Sequence, residues 1–100
     1  MQEPFDSTML DAVIHGRVRL GMMAYLATVD AASFSELKQK LGASDGNLST
    51  HLRKLEDAGY VQVKKRFSGR KPLTTVQLSA AGRRAWIAYL DHMKALLGDA

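Results

Sequence analysis

Cysteine is absent from this chain of 100 residues. That gap removes disulfide frameworks, thiolate metal sites and cysteine nucleophiles together. Long apolar runs are missing as well. The longest mostly apolar stretch, GMMAYLATV, is too short to cross a bilayer. The opening MQEPFDST is acidic and lacks the apolar segment of a secretory signal. Proline occurs only at Pro4, in a polar start that reads as a loose arm, and at Pro72, beside a turn where a missing N–H is tolerated. No repeat or low-complexity tract interrupts the chain, and 46% of it is hydrophobic. Residues 1–100 are therefore expected to form one soluble, cytoplasmic domain with a single core and no membrane contact.

The signatures of catalysis are missing too. His15, His51 and His92 are far apart and never fall at zinc-ligand spacing on one helix. No nucleophile elbow, phosphate loop or carboxylate cluster is present, and Asp91 with His92 reads as a solvated pair. No enzyme, no cofactor and no metal are expected. His51, one residue before Leu52, reads as a packing or hydrogen-bonding side chain.

Acidic residues are scarce in one segment. Between Ser49 and Lys71 stand seven basic residues (Arg53, Lys54, Lys64, Lys65, Arg66, Arg70 and Lys71) against Glu56 and Asp57. The rest of the chain holds seven basic and eight acidic residues. The positive character is thus local, as a polyanion footprint requires.

Apolar spacing supplies the elements. From Thr8 to about Val29 the period is helical, with a break expected near His15 and Gly16 that leaves a short helix and a longer one. Phe34 reads as a short extended piece and Ser35 as the cap of a helix that buries Leu37 and Leu41 and stops at Gly42. A second short helix carries Leu48, Leu52 and Leu55 on one stripe and ends at Gly59. The pattern then alternates. Val61 and Val63 share one face of YVQVKKRF, and Thr74, Val76 and Leu78 one face of LTTVQLS, joined by the basic link SGRKP. That is a β-hairpin. Ser79 caps a last helix, AAGRRAWIAYLDHMKALLG. The fold class is mainly α with a small β-hairpin, a winged helix-turn-helix.

The helix after Gly42 opens with Asp45, Gly46 and Asn47, all poor helix formers. A helix whose N-terminal end enters the major groove explains the choice. Gly46 removes bulk, Asn47 offers an amide that pairs with adenine, and the free N–H groups attract phosphate. Asp45 runs against this unless capping occupies its carboxylate. Arg53, Lys54, Lys64 and Arg66 complete a basic surface on the helix and hairpin.

The segments SDGNLSTHLRKLEDAGYV, KKRFSGRKPLTT and QLSAAGRRAW, with IHGRVRLGMMAYL before them, resemble the small stand-alone winged-helix transcriptional regulators related to the MarR and ArsR types. D-G-N-L-S, H-L-R-K-L-E, G-Y-V and G-R-K-P occur in order at the family's spacing. The resemblance implies a homodimer that binds double-stranded DNA at an operator and represses, or less often activates, a promoter. It implies helix contacts from Ser44, Gly46, Asn47, Ser49 and Thr50, and wing contacts from Arg70 and Lys71. It assigns no effector. The alternative is a winged-helix protein-interaction module, which would show apolar or acidic residues on the same helix face and wing.

The last helix carries a wider apolar stripe than one small core needs. Trp86, Tyr89, Leu90, Met93 and Leu97, with Met9, Leu10 and Val13 from the other terminus, are the expected homodimer interface.

Overall fold

The structure, a computed structural model, describes residues 10–98. The elements run α1 (Arg17–Leu26), β1 (Ala32–Ser33), α2 (Phe34–Leu41), α3 (Asp45–Asp57), β2 (Val61–Ser68), β3 (Lys71–Leu78) and α4 (Ala80–Leu96). Three antiparallel strands lie in the order β1-β3-β2, so the two-residue β1 covers only the inner end of β3. The winged helix-turn-helix expected from the sequence is the fold observed.

Serine starts three of the four helices among the described residues. Ser33, Ser44 and Ser79 each accept a bond from the backbone N–H three residues on, at 3.0, 3.1 and 2.9 Å. Each cap satisfies a donor that the first turn would otherwise leave unpaired. The cap of α2 is Ser33 rather than the expected Ser35, because Phe34 is already helical. Gly42, at φ 61°, turns the chain out of α2 and toward the cap of α3. Buried residues of every element meet in one cluster that includes Met22, Leu37, Leu48, Leu55, Val76 and Tyr89.

The expected short first helix is not formed within the described residues. Leu10 to His15 hold one turn, in which Asp11 Oδ1 accepts from the Val13 N–H at 2.8 Å. The Asp11 carbonyl accepts from the His15 N–H at 2.9 Å. An aspartate that bonds its own backbone two residues on closes a turn in place of a helix. The other Asp11 oxygen accepts from the Tyr60 hydroxyl at 2.5 Å. That bond first, then burial and the carboxylate charge, push the Tyr60 pKa up to about 12. Met9, expected at the dimer interface, lies outside the described residues.

One joint ties the wing to the last helix. The Tyr60 carbonyl accepts from the Ser79 N–H at 3.0 Å, and the Gly59 carbonyl from the Ser79 hydroxyl at 2.5 Å. Gly82 packs so closely that a Cβ there would lie 1.9 Å from the Tyr60 oxygen. The obstacle is backbone, which cannot swing aside. Gly82→Ala is therefore expected to destabilise the fold by about 1–3 kcal/mol through overpacking, despite alanine's better helix propensity. Denaturant unfolding checks this, and an unchanged midpoint would show that the joint is looser than described.

Candidate nucleic-acid interface

The α3 stripe of Leu48, Leu52 and Leu55 is buried, which leaves the opposite side of the helix in solvent. Gly46, Asn47, Ser49, Thr50, Arg53 and Lys54 are all exposed on it. The opening of α3 has a simple construction. The Ser44 hydroxyl accepts from the Asn47 N–H, and the Thr50 hydroxyl donates to the Gly46 carbonyl at 2.9 Å. Nothing lies within 4 Å of a Cβ built on Gly46, and its φ is ordinary. Neither packing nor backbone conformation within the chain requires glycine there.

Asp45, the residue that argued against an anionic partner, is not the cap. Its carboxylate is 2.9 Å from the Lys38 ammonium on α2. Such an exposed pair adds little stability, but it sets a cation beside the one acidic side chain of the first turn.

The wing is a regular eight-residue ladder from Val61↔Leu78 to Ser68↔Lys71. Gly69, at φ 66°, takes the first corner of the two-residue turn, where a type II′ turn needs positive φ, and Arg70 takes the second. Alternation then splits the cations. Lys64, Arg66 and Lys71 lie on the hairpin face with Gln62 and Gln77, whose side chains bond each other at 3.0 Å. Lys65 lies on the other face, with Val63, and pairs with Thr74. With Ser49, Arg53 and Thr74 it lines a cavity of about 230 Å³ between α3 and the wing. A second depression, about 280 Å³, is lined by Ser49, Thr50, Arg53, Lys54 and Asp57. The structure thus brings Ser49, Thr50, Arg53 and Lys54 together. Lys64, Arg66 and Lys71 stand on the far face of the hairpin, and Arg70 at its tip. Lys65 was absent from the expected contacts, although counting by twos from Val63 places it on this side.

His51 faces the α1 side of α3. Burial first, then the charges of Arg19 and Lys54, hold its pKa below the usual imidazole value. The shift disfavours its charged form, in keeping with a packing role.

The apolar residues expected at a dimer interface divide. Tyr89 is only 1% exposed and belongs to the monomer core, its hydroxyl 2.8 Å from His15 Nδ1 and its ring against Trp86. This corrects its placement on the free face. Leu10, Val13, Trp86 and Met93 are half-buried against the same core. Ile87 and Leu90 on α4, and Leu97 at its C-cap, remain open at 55%, 44% and 79% exposure. Among the described residues no helix is long and apolar enough to cross a membrane. No group of three or more His, Asp or Glu placed to hold a metal ion occurs among them either.

Comparison with known proteins agrees with this geometry. Residues 18–97 match the family described as winged helix DNA-binding domain. An uncharacterized protein of Methanocaldococcus jannaschii is 35% identical over 78 residues, covering 78% of this chain and 85% of that one. The structure of a transcriptional regulator homologue from Pyrococcus horikoshii OT3 superposes with a TM-score of 0.88 at 31% identity, over 98% of this chain and 97% of that one. A MarR family regulator from Silicibacter pomeroyi shares the fold at a TM-score of 0.67 and 22% identity, over 88% of this chain and 58% of that one. The fold is shared with an ArsR family regulator as well.

Two substitutions separate folding from contact at the opening of α3. Gly46→Leu removes a residue that costs about 1 kcal/mol in a helix interior. It is expected to melt at the same or a higher temperature and to bind DNA more weakly, because the larger side chain blocks close approach. Asn47→Ala is expected to keep the fold and to lose roughly 1–3 kcal/mol on the preferred sequence alone, the size of one base contact. Normal binding by Gly46→Leu would return Gly46 to a purely local role.

Proposed function

The chain belongs to the winged helix DNA-binding domain family, and from that premise we propose that it is a sequence-specific transcriptional regulator acting as a homodimeric repressor. One observation carries the reading. Small polar side chains open α3, beside a hairpin with five cations, and no Asp or Glu occurs anywhere in residues 58–90. A protein-interaction module would not set a hairpin whose only charges are cations beside a helix end stripped of bulk. In this reading Asn47, Ser49 and Thr50 meet base edges and Ser44 and the Gly46 backbone meet phosphate. Arg53, Lys54, Lys64, Arg66, Arg70 and Lys71 follow the phosphate strands, joined by Lys65. The relatives described as transcriptional regulators support the same assignment.

Charge sets the expected behaviour. Binding to double-stranded DNA should fall steeply with salt as counterions are released. Replacing Arg70 and Lys71 with Ala should weaken binding to all sequences alike and flatten the log–log salt slope by about one unit per lost phosphate contact. Titrations across a salt series measure both. Binding that ignores salt would favour the protein-interaction module.

The dimer rests on α4. Leu90 and Leu97 lie two turns apart and stay exposed after the core is closed. Pairing α4 with its symmetry mate would bury them and set two recognition helices about 34 Å apart, one turn of DNA. The chain is expected to sediment as a dimer at micromolar concentration, and Leu90→Glu as a folded monomer with weakened operator binding. A monomeric wild-type chain would remove the dimer and leave single-site binding.

A further inference from the structure

Phe67 is an aromatic ring at 76% exposure among cations. It follows Val63 and Lys65 along the face of β2 turned toward α3, and it stands opposite Pro72 in the ladder. The monomer gains little by placing the ring there. We infer that Phe67 is an apolar wedge that seats against the sugars and base edges of the DNA minor groove flanking α3, an inference that rests on the DNA-binding reading above.

Charge, rigidity and reach commit it to that partner. Lys65 precedes the ring on the same face, and Arg66 and Lys71 stand on the opposite face beside it in sequence and across the ladder. Arg70 holds the tip, and residues 58–90 contain no Asp or Glu. A minor groove is flanked by phosphate on both sides, so cations on either face of the wing would each have a strand to meet. A protein partner would have to bring carboxylates to both faces. The backbone beneath the ring is also held in place. Its strand is paired to the last residue before a two-residue turn, and Pro72 opposite fixes its own φ. Phe67 stands four residues beyond Val63, about 13 Å along an extended strand. The major groove is about 12 Å wide, so a wing that starts beside a helix in that groove carries Phe67 across the bounding phosphate strand to the next groove. Apolar side chains inserted there part base steps and open the groove. A phenyl ring has no hydrogen bond to offer, so it senses how easily a step deforms, and flexible pyrimidine–purine steps should be favoured beneath it.

The test uses the full chain, a duplex obtained by selection from random DNA, and the variants Phe67→Ala and Phe67→Leu. Phe67→Ala should melt as wild type does and bind about ten-fold more weakly, the effect of one aromatic–base contact. Its salt slope should be unchanged, since no charge is lost. Phe67→Leu should retain most of the affinity. A fluorescent purine analogue under the wing should brighten with wild type and stay quenched with Phe67→Ala. Should wild type bind with a steep salt dependence and Phe67→Ala bind as tightly, the wedge is overturned while DNA binding stands. Should Phe67→Ala change the association state and leave DNA affinity alone, Phe67 is a protein contact and the inference fails. Should wild type itself bind no DNA, the underlying reading falls, and the wedge with it.

Discussion

Leu48, Leu52 and Leu55 are at most 7% exposed, and their burial sets the rotation of α3 about its own axis. A leucine moved from water into a core contributes about 1.5–3 kcal/mol. Three of them exceed the ~1 kcal/mol that a glycine costs a helix. The stripe therefore lets the opening of α3 carry residues chosen for what they meet rather than for how well they fold. At about 100° per residue, the side opposite the leucines is occupied by Gly46, Thr50 and Arg53. The exposed surface of this helix is a consequence of its buried one.

The end of α3 matters as much as its start. The Gly59 and Tyr60 carbonyls hold Ser79, and Gly82 lets α4 lie against the Tyr60 backbone. The wing and α4 leave from this one joint. Asp11 grips the Tyr60 hydroxyl from the side, and His15 grips Tyr89 a little farther along α4. Movement of α4 against the core would disturb the base of the wing, so the surface proposed to meet DNA and the surface proposed to pair two chains are mechanically joined.

Much of this was legible in the residues. Helical spacing of leucines, Ser79 ahead of an apolar run, and a switch to alternation after Gly59 led directly to α3, the hairpin and α4. Three features were not legible, each for a physical reason. Helical spacing ahead of Gly16 continued a pattern that Asp11 breaks by bonding the Val13 N–H, and a side-chain bond leaves no trace in hydropathy. Tyr89 looked like one more member of the α4 stripe. Which part of a wide stripe faces the core depends on what packs there, and His15 and Trp86 pack on Tyr89. Lys65 was counted in the basic segment but left out of the expected contacts, because the polar hairpin face with Lys64 and Arg66 looked like the one that meets DNA. In a hairpin, neighbours in sequence look in opposite directions.

Those opposite directions shape what the proposed interface can read. Cations on the two faces of the wing cannot share one phosphate, so the hairpin would cross a backbone strand with Lys65 on the α3 side and Lys64, Arg66 and Lys71 beyond it. Phosphate contacts of that kind fix position and carry no sequence information. Reading falls to the few side chains at the opening of α3, and their existing bonds limit them. The Thr50 hydroxyl donates its one proton to the Gly46 carbonyl, so toward DNA it can only accept, from an adenine or cytosine amino group, or present its methyl to thymine. The Ser44 oxygen already accepts from the Asn47 N–H, so its own proton stays free to donate to a phosphate. Asn47, whose amide both donates and accepts, is the side chain among them able to satisfy both edges of an adenine. A helix that gives up propensity for small residues thus keeps one bidentate reader and two neighbours with complementary roles.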